Sequence, residues 1–91
     1  METGIELIAK ERFEQIEKHG RTVELDVELN GSGQLVSAIK QLLVEDVFGF
    51  NTPIGWHFDT FAKMMQKDYK DRLVIAGALM AAEIDRQLAL K

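Results

Sequence analysis

Residues Leu73 to Ala82, LVIAGALMAA, decide the fold of this chain, because every one of them is apolar or glycine. A segment of this composition predicts a helix that is hydrophobic around its whole circumference and that other helices surround. It has about half the length that a helix needs to cross a bilayer, so we expect it in a protein core. The small residues from Ala76 to Ala78 let a second helix approach closely. This helix is therefore predicted to be the central element of the fold or of an oligomer.

The rest of the chain carries signals for further helices. Thr3 and Glu6 have the spacing of a capping box, which predicts a first helix from Gly4 to Lys18. Apolar residues at helical spacing predict two more helices, from Gln34 to Asp46 and from His57 to Lys67. In the first helix, the residues predicted to line one side are Ile5, Ile8, Phe13 and Ile16.

Turn and capping residues separate these helices. The segment Phe48–Trp56 contains three glycine or proline residues, which predicts a loop with one short turn. Asp68 and Asp71 stand just before the apolar segment and are predicted to cap the final helix.

The segment Val23–Leu29 has a different pattern from its neighbours. Its apolar residues alternate with acidic ones, which by itself predicts a strand. No second segment shows comparable alternation, so a strand here lacks a partner in the same chain and must pair across a dimer. A short helix or an irregular segment over residues 22–30 is the equal alternative.

These patterns together define the expected architecture. A chain of 91 residues forms one domain, and no internal repeat or change of composition divides residues 1–91. We predict an all-α bundle of four to five helices with a buried C-terminal helix. One small chain can scarcely surround a helix that is apolar on every side, so we also expect a homo-oligomer, either a dimer or a tetramer.

The composition excludes several classes of function. Eleven basic and fifteen acidic residues give a formal charge of −4, which offers no general attraction to nucleic acid or to an anionic membrane. The absence of cysteine excludes disulfides, thiolate nucleophiles and zinc–thiolate sites. The first ten residues lack the basic start and the unbroken apolar run of a signal peptide. We therefore expect a cytoplasmic protein that binds neither nucleic acid nor membrane.

Carboxylates are the chemically capable groups that this chain has in number. Glu83 is predicted on an apolar side of the last helix, where a charge must be paired or must hold a cation. Arg86, three residues later, is within reach, so one interpretation is an ion pair at the edge of the core and the other is a metal or phosphate site. Glu11 borders the apolar side of the first helix, with Gln15 four residues later, and is the better candidate ligand there.

Four motifs make the sequence similar to a group of short bacteriophage and prophage proteins. They are Glu11–Ile16 (ERFEQI), Glu24–Asp26 (ELD), Gly33–Leu35 (GQL) and Ala76–Arg86 (AGALMAAEIDR). Together they touch most of the chain, and the last motif is the most specific. This group resembles the MazG-like nucleotide pyrophosphohydrolases, all-α enzymes that hydrolyse nucleoside triphosphates to monophosphates and pyrophosphate with Mg²⁺ bound by helical carboxylates.

The resemblance implies a function and a set of site residues. It implies Mg²⁺ as cofactor, a nucleoside triphosphate as substrate and a water nucleophile activated by the metal. The implied roles are metal binding by Glu11, Asp26 and Glu83, phosphate contact by Arg86, and supporting hydrogen bonds from Gln15, Asn30 and Gln34. Two positions depart from the larger family's pattern, since Gln34 stands where relatives can carry Glu and Arg86 follows Glu83 where that family has Asp.

A different class of function gives the same residues a structural role. In this alternative the chain is a non-catalytic helical assembly or protein-interaction module of a phage or prophage. Glu11, Glu83 and Arg86 then form an ion-pair network that fixes the register of the helices. Stabilisation by added metal separates the two interpretations, because a ligand that binds only the native state raises its stability.

Overall fold

Five helices account for the described part of the chain, which in this computed structural model comprises residues 2–44 and 49–90. They are α1 (Gly4–Glu17), α2 (Val23–Leu29), α3 (Gln34–Leu42), α4 (Phe58–Met65) and α5 (Tyr69–Ala89). No strand occurs in these two ranges. The all-α prediction is confirmed, with α3 ending earlier than expected; its predicted end, Asp46, and the predicted loop start, Phe48, lie outside the described residues.

Helix α5 lies at the centre of the fold, as its composition predicts. It contacts each of the other four helices, and its most extensive contacts are with α3 and α1. Asp68 caps its start by accepting a hydrogen bond from the backbone N–H of Asp71 at 2.9 Å. Its buried aliphatic residues pack into a core with residues of α3 and α4, including Leu35, Leu42, Phe61, Met65, Ile75 and Leu79.

Helix α1 crosses α5 at Gly77, where the sequence predicted a close approach. A Cβ added to Gly77 would lie 2.6 Å from Cδ1 of Ile8, so any larger residue here would force the Ile8 side chain to move. The capping box is also confirmed, since the Thr3 side chain accepts from the Glu6 N–H and the Glu6 side chain accepts from the Thr3 N–H. The first helix therefore begins where its sequence signal places it.

The buried side of α1 differs from the predicted one. Its buried residues are Arg12 and Gln15, whereas Ile5 and Phe13 are exposed. The Arg12 guanidinium donates to the backbone carbonyl of Arg21 and to the carboxylate of Asp85, each at 3.3 Å. These bonds turn a polar side of α1 inward, so the predicted apolar stripe was wrong for Ile5 and Phe13.

Residues 23–29 form helix α2, so the strand interpretation was wrong and the helical alternative is confirmed. Thr22 caps the helix, because its side-chain oxygen accepts from the Leu25 N–H at 3.3 Å. A helix satisfies its own backbone groups, which an unpaired strand cannot do. The alternation does not mark a buried face: Leu25 and Leu29 are exposed, and the buried side chain is that of Asp26.

Two polar anchors fix the segment between α3 and α4. The Gln41 side chain both donates to and accepts from the backbone of Asn51, at 2.6 Å in each case. The buried Arg72 guanidinium donates to the carbonyls of Leu42 and Lys67, at 2.9 and 3.2 Å. The Gln41 bonds hold Asn51, in the connection that carries Trp56, against α3, whereas the Arg72 bonds join α5 to the end of α3 and to the connection after α4.

No helix in the described part of the chain combines the length and the apolar composition that a membrane span requires.

Candidate functional site

A cavity of about 720 Å³ lies between α1 and α2 on one side and α4 on the other. Helices α1 and α2 both pack on α5, but neither comes into close backbone contact with α4, which leaves the gap. The loop around Trp56 and the residue Ile75 of α5 complete its wall. This volume falls in the range of sites that bind small molecules.

Two buried polar side chains on the cavity wall lack a full set of hydrogen bonds. Gln15 of α1 is 1% exposed and Asp26 of α2 is 2% exposed. Among the described residues, neither Gln15 Oε1 nor Asp26 Oδ2 has a hydrogen-bond partner. Buried polar atoms in folded proteins are nearly always paired, so both oxygens mark this wall as unusual.

A chain of hydrogen bonds fixes the orientation of Asp26. The Asn30 side-chain amide donates to Asp26 Oδ1 at 2.8 Å, and Asn30 Oδ1 accepts from the indole N–H of Trp56 at 2.8 Å. The loop between α3 and α4 is thereby linked to the carboxylate on α2. One carboxylate oxygen is occupied and the other, Oδ2, is left free.

Burial raises the pKa of Asp26 above its ordinary value. The hydrogen bond from Asn30 and the nearby positive charges of Arg12 and Arg21 oppose this shift but do not cancel it. No described basic side chain forms a salt bridge with Asp26. A buried carboxylate with a raised pKa at a cavity is a recognised sign of a functional site.

Arg21 and Trp56 form a stacked pair at the same end of the cavity. The guanidinium carbon of Arg21 lies 4.3 Å from the centre of the indole ring, which is cation–π geometry. Burial lowers the pKa of Arg21, and the charge of Asp26 counteracts this effect. Trp56 also meets Phe61 edge to face, so its ring is fixed from the core side.

Glu11 lies among different charged residues from those around Asp26. Burial raises the pKa of Glu11, while the charges of Lys67 and His19 lower it. Gln15 donates to its carboxylate at 3.5 Å, a long hydrogen bond. Glu11, His19 and Lys67 all line the cavity, so this end of it combines a carboxylate with cationic groups.

Helix α4 supplies polar residues that the sequence analysis did not select. Thr60, Lys63 and Lys67 line the cavity, and their spacing of three and four residues puts them on one side of the helix and its end. That spacing is visible in the sequence. The sequence does not show, however, that this side of α4 faces the acidic residues of α1 and α2 across the cavity.

Glu83 and Arg86 form the ion pair that was one of the two interpretations of their spacing. The Arg86 Nε donates to Glu83 Oε1 at 2.8 Å, and a second guanidinium nitrogen donates to Oε2 at 2.9 Å. Gln87 donates to Oε2 as well, at 2.8 Å. The hydrogen bonds from Arg86 lower the pKa of Glu83 and raise that of Arg86. Neither residue lines the cavity.

Gln34 stabilises a turn. Its side-chain amide donates to the carbonyl of Leu29 at 3.1 Å, and its Oε1 accepts from the backbone N–H of Ser32 at 2.8 Å. A glutamate cannot make the first of these bonds, because a carboxylate is an acceptor only. The second bond occupies one backbone N–H, that of Ser32, in the glycine-rich turn before α3.

The structure thus brings together four of the seven predicted site residues. Glu11, Gln15, Asp26 and Asn30 line one cavity, whereas Gln34, Glu83 and Arg86 do not. Within residues 2–44 and 49–90, no three His, Cys, Asp or Glu side chains lie close enough together to hold a metal ion as a group. A metal site made only by Glu11, Asp26 and Glu83 does not fit this arrangement, since Arg86 occupies both oxygens of Glu83.

Comparisons of the chain with protein-family models, with curated proteins and with solved structures find no match.

Proposed function

We propose that this protein binds a nucleoside triphosphate, as its magnesium complex, in the cavity between α1, α2 and α4. The observation that carries the proposal is the lining of this cavity, which combines the carboxylate of Glu11 with the cationic side chains of Lys63 and Lys67 and an aromatic ring. Two further residues of the wall, Gln15 and Asp26, each bury an oxygen that has no described partner within the fold. The resemblance to MazG-like pyrophosphohydrolases identifies the class of ligand to test first.

An aromatic and aliphatic wall supports the binding of a base. Trp56 lines the cavity together with Leu25 and Ile54, both of which are exposed. Planar bases stack on aromatic side chains with a gain of roughly 1–3 kcal/mol per base. A nucleobase would therefore cover apolar surface that solvent otherwise contacts.

Cationic side chains on another part of the cavity wall support the binding of phosphates. Lys63 and Lys67 follow one side of α4 and its end, and His19 lines the same cavity. Both lysines are exposed, so their ammonium groups are free to meet a charged ligand that enters from solvent. Charge-assisted hydrogen bonds to phosphate oxygens are about twice as strong as neutral ones.

Magnesium would enter this site together with the nucleotide. The ion is usually held by one or two carboxylates plus the phosphates of the ligand, rather than by a cage of protein groups alone. Glu11 suits this role because it lines the cavity near Lys67 and His19. When bound, the ion neutralises phosphate charge and lowers the pKa of a bound water.

Hydrolysis of the bound nucleotide is the activity that the resemblance implies. It adds one water across the bond between the α- and β-phosphoryl groups and releases a nucleoside monophosphate and pyrophosphate. In this chain, Lys63 and Lys67 would hold the phosphates and Glu11 would hold the ion. Asp26, the other predicted carboxylate on the wall, accepts a hydrogen bond from Asn30.

Thermal unfolding of the metal-free protein tests the proposal. We expect Mg²⁺ with a nucleoside triphosphate to raise the unfolding midpoint in a concentration-dependent manner. At a hundredfold excess of ligand over Kd, the free energy of unfolding should increase by about 2.7 kcal/mol. Glu11→Gln should weaken this response, and Glu17→Gln, an exposed carboxylate on the same helix, should leave it unchanged. Pyrophosphate release then measures hydrolysis. A flat response to every nucleotide at millimolar concentration contradicts the proposal.

A second candidate function, assembly of the chain with itself, is favoured by an apolar stripe on α5. The exposed residues of this stripe are Leu73, Met80, Ile84 and Leu88. Intervals of seven, four and four residues put all of them on one side of the helix. Analytical ultracentrifugation of Ile84→Glu, with Ala89→Glu as the exposed control, should show a loss of oligomer in the first variant only. A monomeric wild-type protein at high concentration rejects this candidate.

A further inference from the structure

Arg21 carries a guanidinium group that the described part of the fold does not pair. Its backbone is fixed on both sides, since its N–H donates to the carbonyl of Gln15 at 2.9 Å and its carbonyl accepts from the Arg12 guanidinium at 3.3 Å. Among the described residues, its side chain forms no salt bridge and donates no hydrogen bond. A cation with five N–H donors therefore lines the cavity without an acceptor for any of them.

The indole ring of Trp56 holds this guanidinium in place. The guanidinium carbon of Arg21 lies 4.3 Å from the ring centre. The buried side chain of Phe61 meets the same ring at an angle of 80°, with 5.9 Å between the ring centres. A base stacks only on an open face of an aromatic ring. A base in the cavity therefore cannot stack on the face that Arg21 covers until the guanidinium leaves it.

A phosphate group is the ligand that can take the guanidinium off the ring. Arginine binds phosphate through two parallel, charge-assisted hydrogen bonds, which are stronger than a cation–π contact beside solvent. Arg21 also follows His19 by two residues, and both line the cavity. The arginine therefore connects the cationic part of the wall, which we assign to the phosphates, with the aromatic ring that we assign to the base.

We propose that Arg21 couples the two parts of the nucleotide site: a phosphate of the ligand draws the guanidinium off Trp56, and the base then stacks on the uncovered face. This proposal rests on the proposed function and adds a rule of specificity to it. A ligand must carry both a phosphate and a base to bind tightly. A nucleoside has no group that compensates for the contact it must break, and an inorganic polyphosphate leaves the uncovered ring without a partner.

Calorimetric titration of the full chain with matched ligands tests this coupling. The ligands are the α,β-methylene analogues of ATP, GTP, CTP and UTP, which resist cleavage between the α- and β-phosphates, and the four matching nucleosides, each with Mg²⁺. Arg21→Gln should bind a nucleoside about 2 to 30 times more tightly than the wild type does, because no cation–π contact has to be broken. It should bind the triphosphate analogue about five times more weakly, because the stronger phosphate contact is lost.

Nuclear magnetic resonance reports the position of the guanidinium directly. Protons above an aromatic ring resonate upfield, so the side-chain protons of Arg21 should be shifted in the free protein, and the signals missing in Arg21→Gln identify them. Inorganic tripolyphosphate with Mg²⁺ should move these signals back towards their ordinary position. Lys18→Gln removes the same charge from an exposed residue outside the cavity and should match the wild type in both measurements.

The outcomes separate this inference from the function on which it rests. Opposite changes of nucleoside and nucleotide affinity in Arg21→Gln support the coupling, since a loss of structure weakens both. Equal weakening of both overturns it and makes the guanidinium itself the surface on which the base stacks. If no analogue binds to the wild type, the proposed function itself fails. If Arg21→Gln does not fold, the wild type decides: bound tripolyphosphate that leaves the upfield signals in place overturns the coupling.

Discussion

The contact between α3 and α5 and the cavity beside α2 bury side chains of opposite kinds. Between α3 and α5, Leu35, Leu42 and Leu79 are packed without access to solvent, and their burial stabilises the fold directly. On the cavity wall, Gln15 and Asp26 are just as inaccessible, yet each has an oxygen without a partner. In a domain this small, with little core, such a wall lowers stability. Burial therefore stabilises the fold at the first surface and costs stability at the second.

The largest expected difference in the free energy of unfolding is between alanine variants of two leucines on α5. Leu79 is 0% exposed and Leu88 is 58% exposed, so the two test burial within one helix. Leu79→Ala should lower the free energy of unfolding by about 2–5 kcal/mol, because it removes packed atoms and leaves a cavity. Leu88→Ala should change it by about 0.5 kcal/mol or less. Urea unfolding measures both; similar losses would mean that Leu88 is buried in an assembly.

Glu83→Gln removes a carboxylate whose two oxygens both accept hydrogen bonds. The variant leaves the largely buried Arg86 without its charged partner, and we expect a loss of about 1–3 kcal/mol at neutral pH. The pKa of Glu83 is lowered in the folded state, so its stabilisation is present at neutral pH and disappears as the pH falls through that lowered pKa. Unfolding at several pH values should therefore show the variant and the wild type converging in acid.

Trp56→Phe tests the link between the loop and α2. Phenylalanine keeps the edge contact with Phe61 but cannot donate to Asn30, so we expect a loss of about 0.5–1.5 kcal/mol. Phe58→Leu, at an exposed aromatic residue nearby, is the control and should have a smaller effect. An unchanged stability in Trp56→Phe would show that the hydrogen bond to Asn30 contributes nothing.

Asp26→Asn should give the smallest change in the free energy of unfolding, about 1 kcal/mol or less. The dependence of this change on pH should be opposite to that of Glu83→Gln. The pKa of Asp26 is raised in the folded state, so the wild-type contribution is greatest below the unfolded pKa, about 4. It declines as the pH rises through the higher folded pKa. The wild type should therefore lose stability relative to the variant on going from acid to neutral pH. A difference that does not vary with pH would contradict the raised pKa.

Sequence patterns predicted the helices well where a local interaction determines them. The capping box at Thr3, the cap at Asp68 and the apolar run from Leu73 depend on neighbours in the chain, and all are present. The alternation from Val23 to Leu29 wrongly indicated a strand. The segment is a helix, with a cap at Thr22 and a single buried side chain, that of Asp26. Periodicity counts apolar residues but cannot tell which side of a helix meets the core.

The candidate site was predicted only in part, for a similar reason. Glu11, Gln15, Asp26 and Asn30 were selected and line one cavity, but Lys63 and Lys67 were not selected. A sequence shows spacing along one helix, whereas a site depends on which helices face each other. Glu83 shows that spacing alone leaves two interpretations open, since a spacing suited to a ligand also suits an ion pair, and Arg86 completes the pair.

Trp56 is the one tryptophan in the chain, and it lines the cavity. Its emission therefore comes from a single known environment, with a guanidinium over the ring and a side-chain oxygen on the indole nitrogen. A molecule that displaces Arg21 or shifts Asn30 will alter the intensity or colour of that light, while unfolding will move it to the red as water reaches the ring. The protein thus contains its own optical probe, which reports on the cavity without any attached dye.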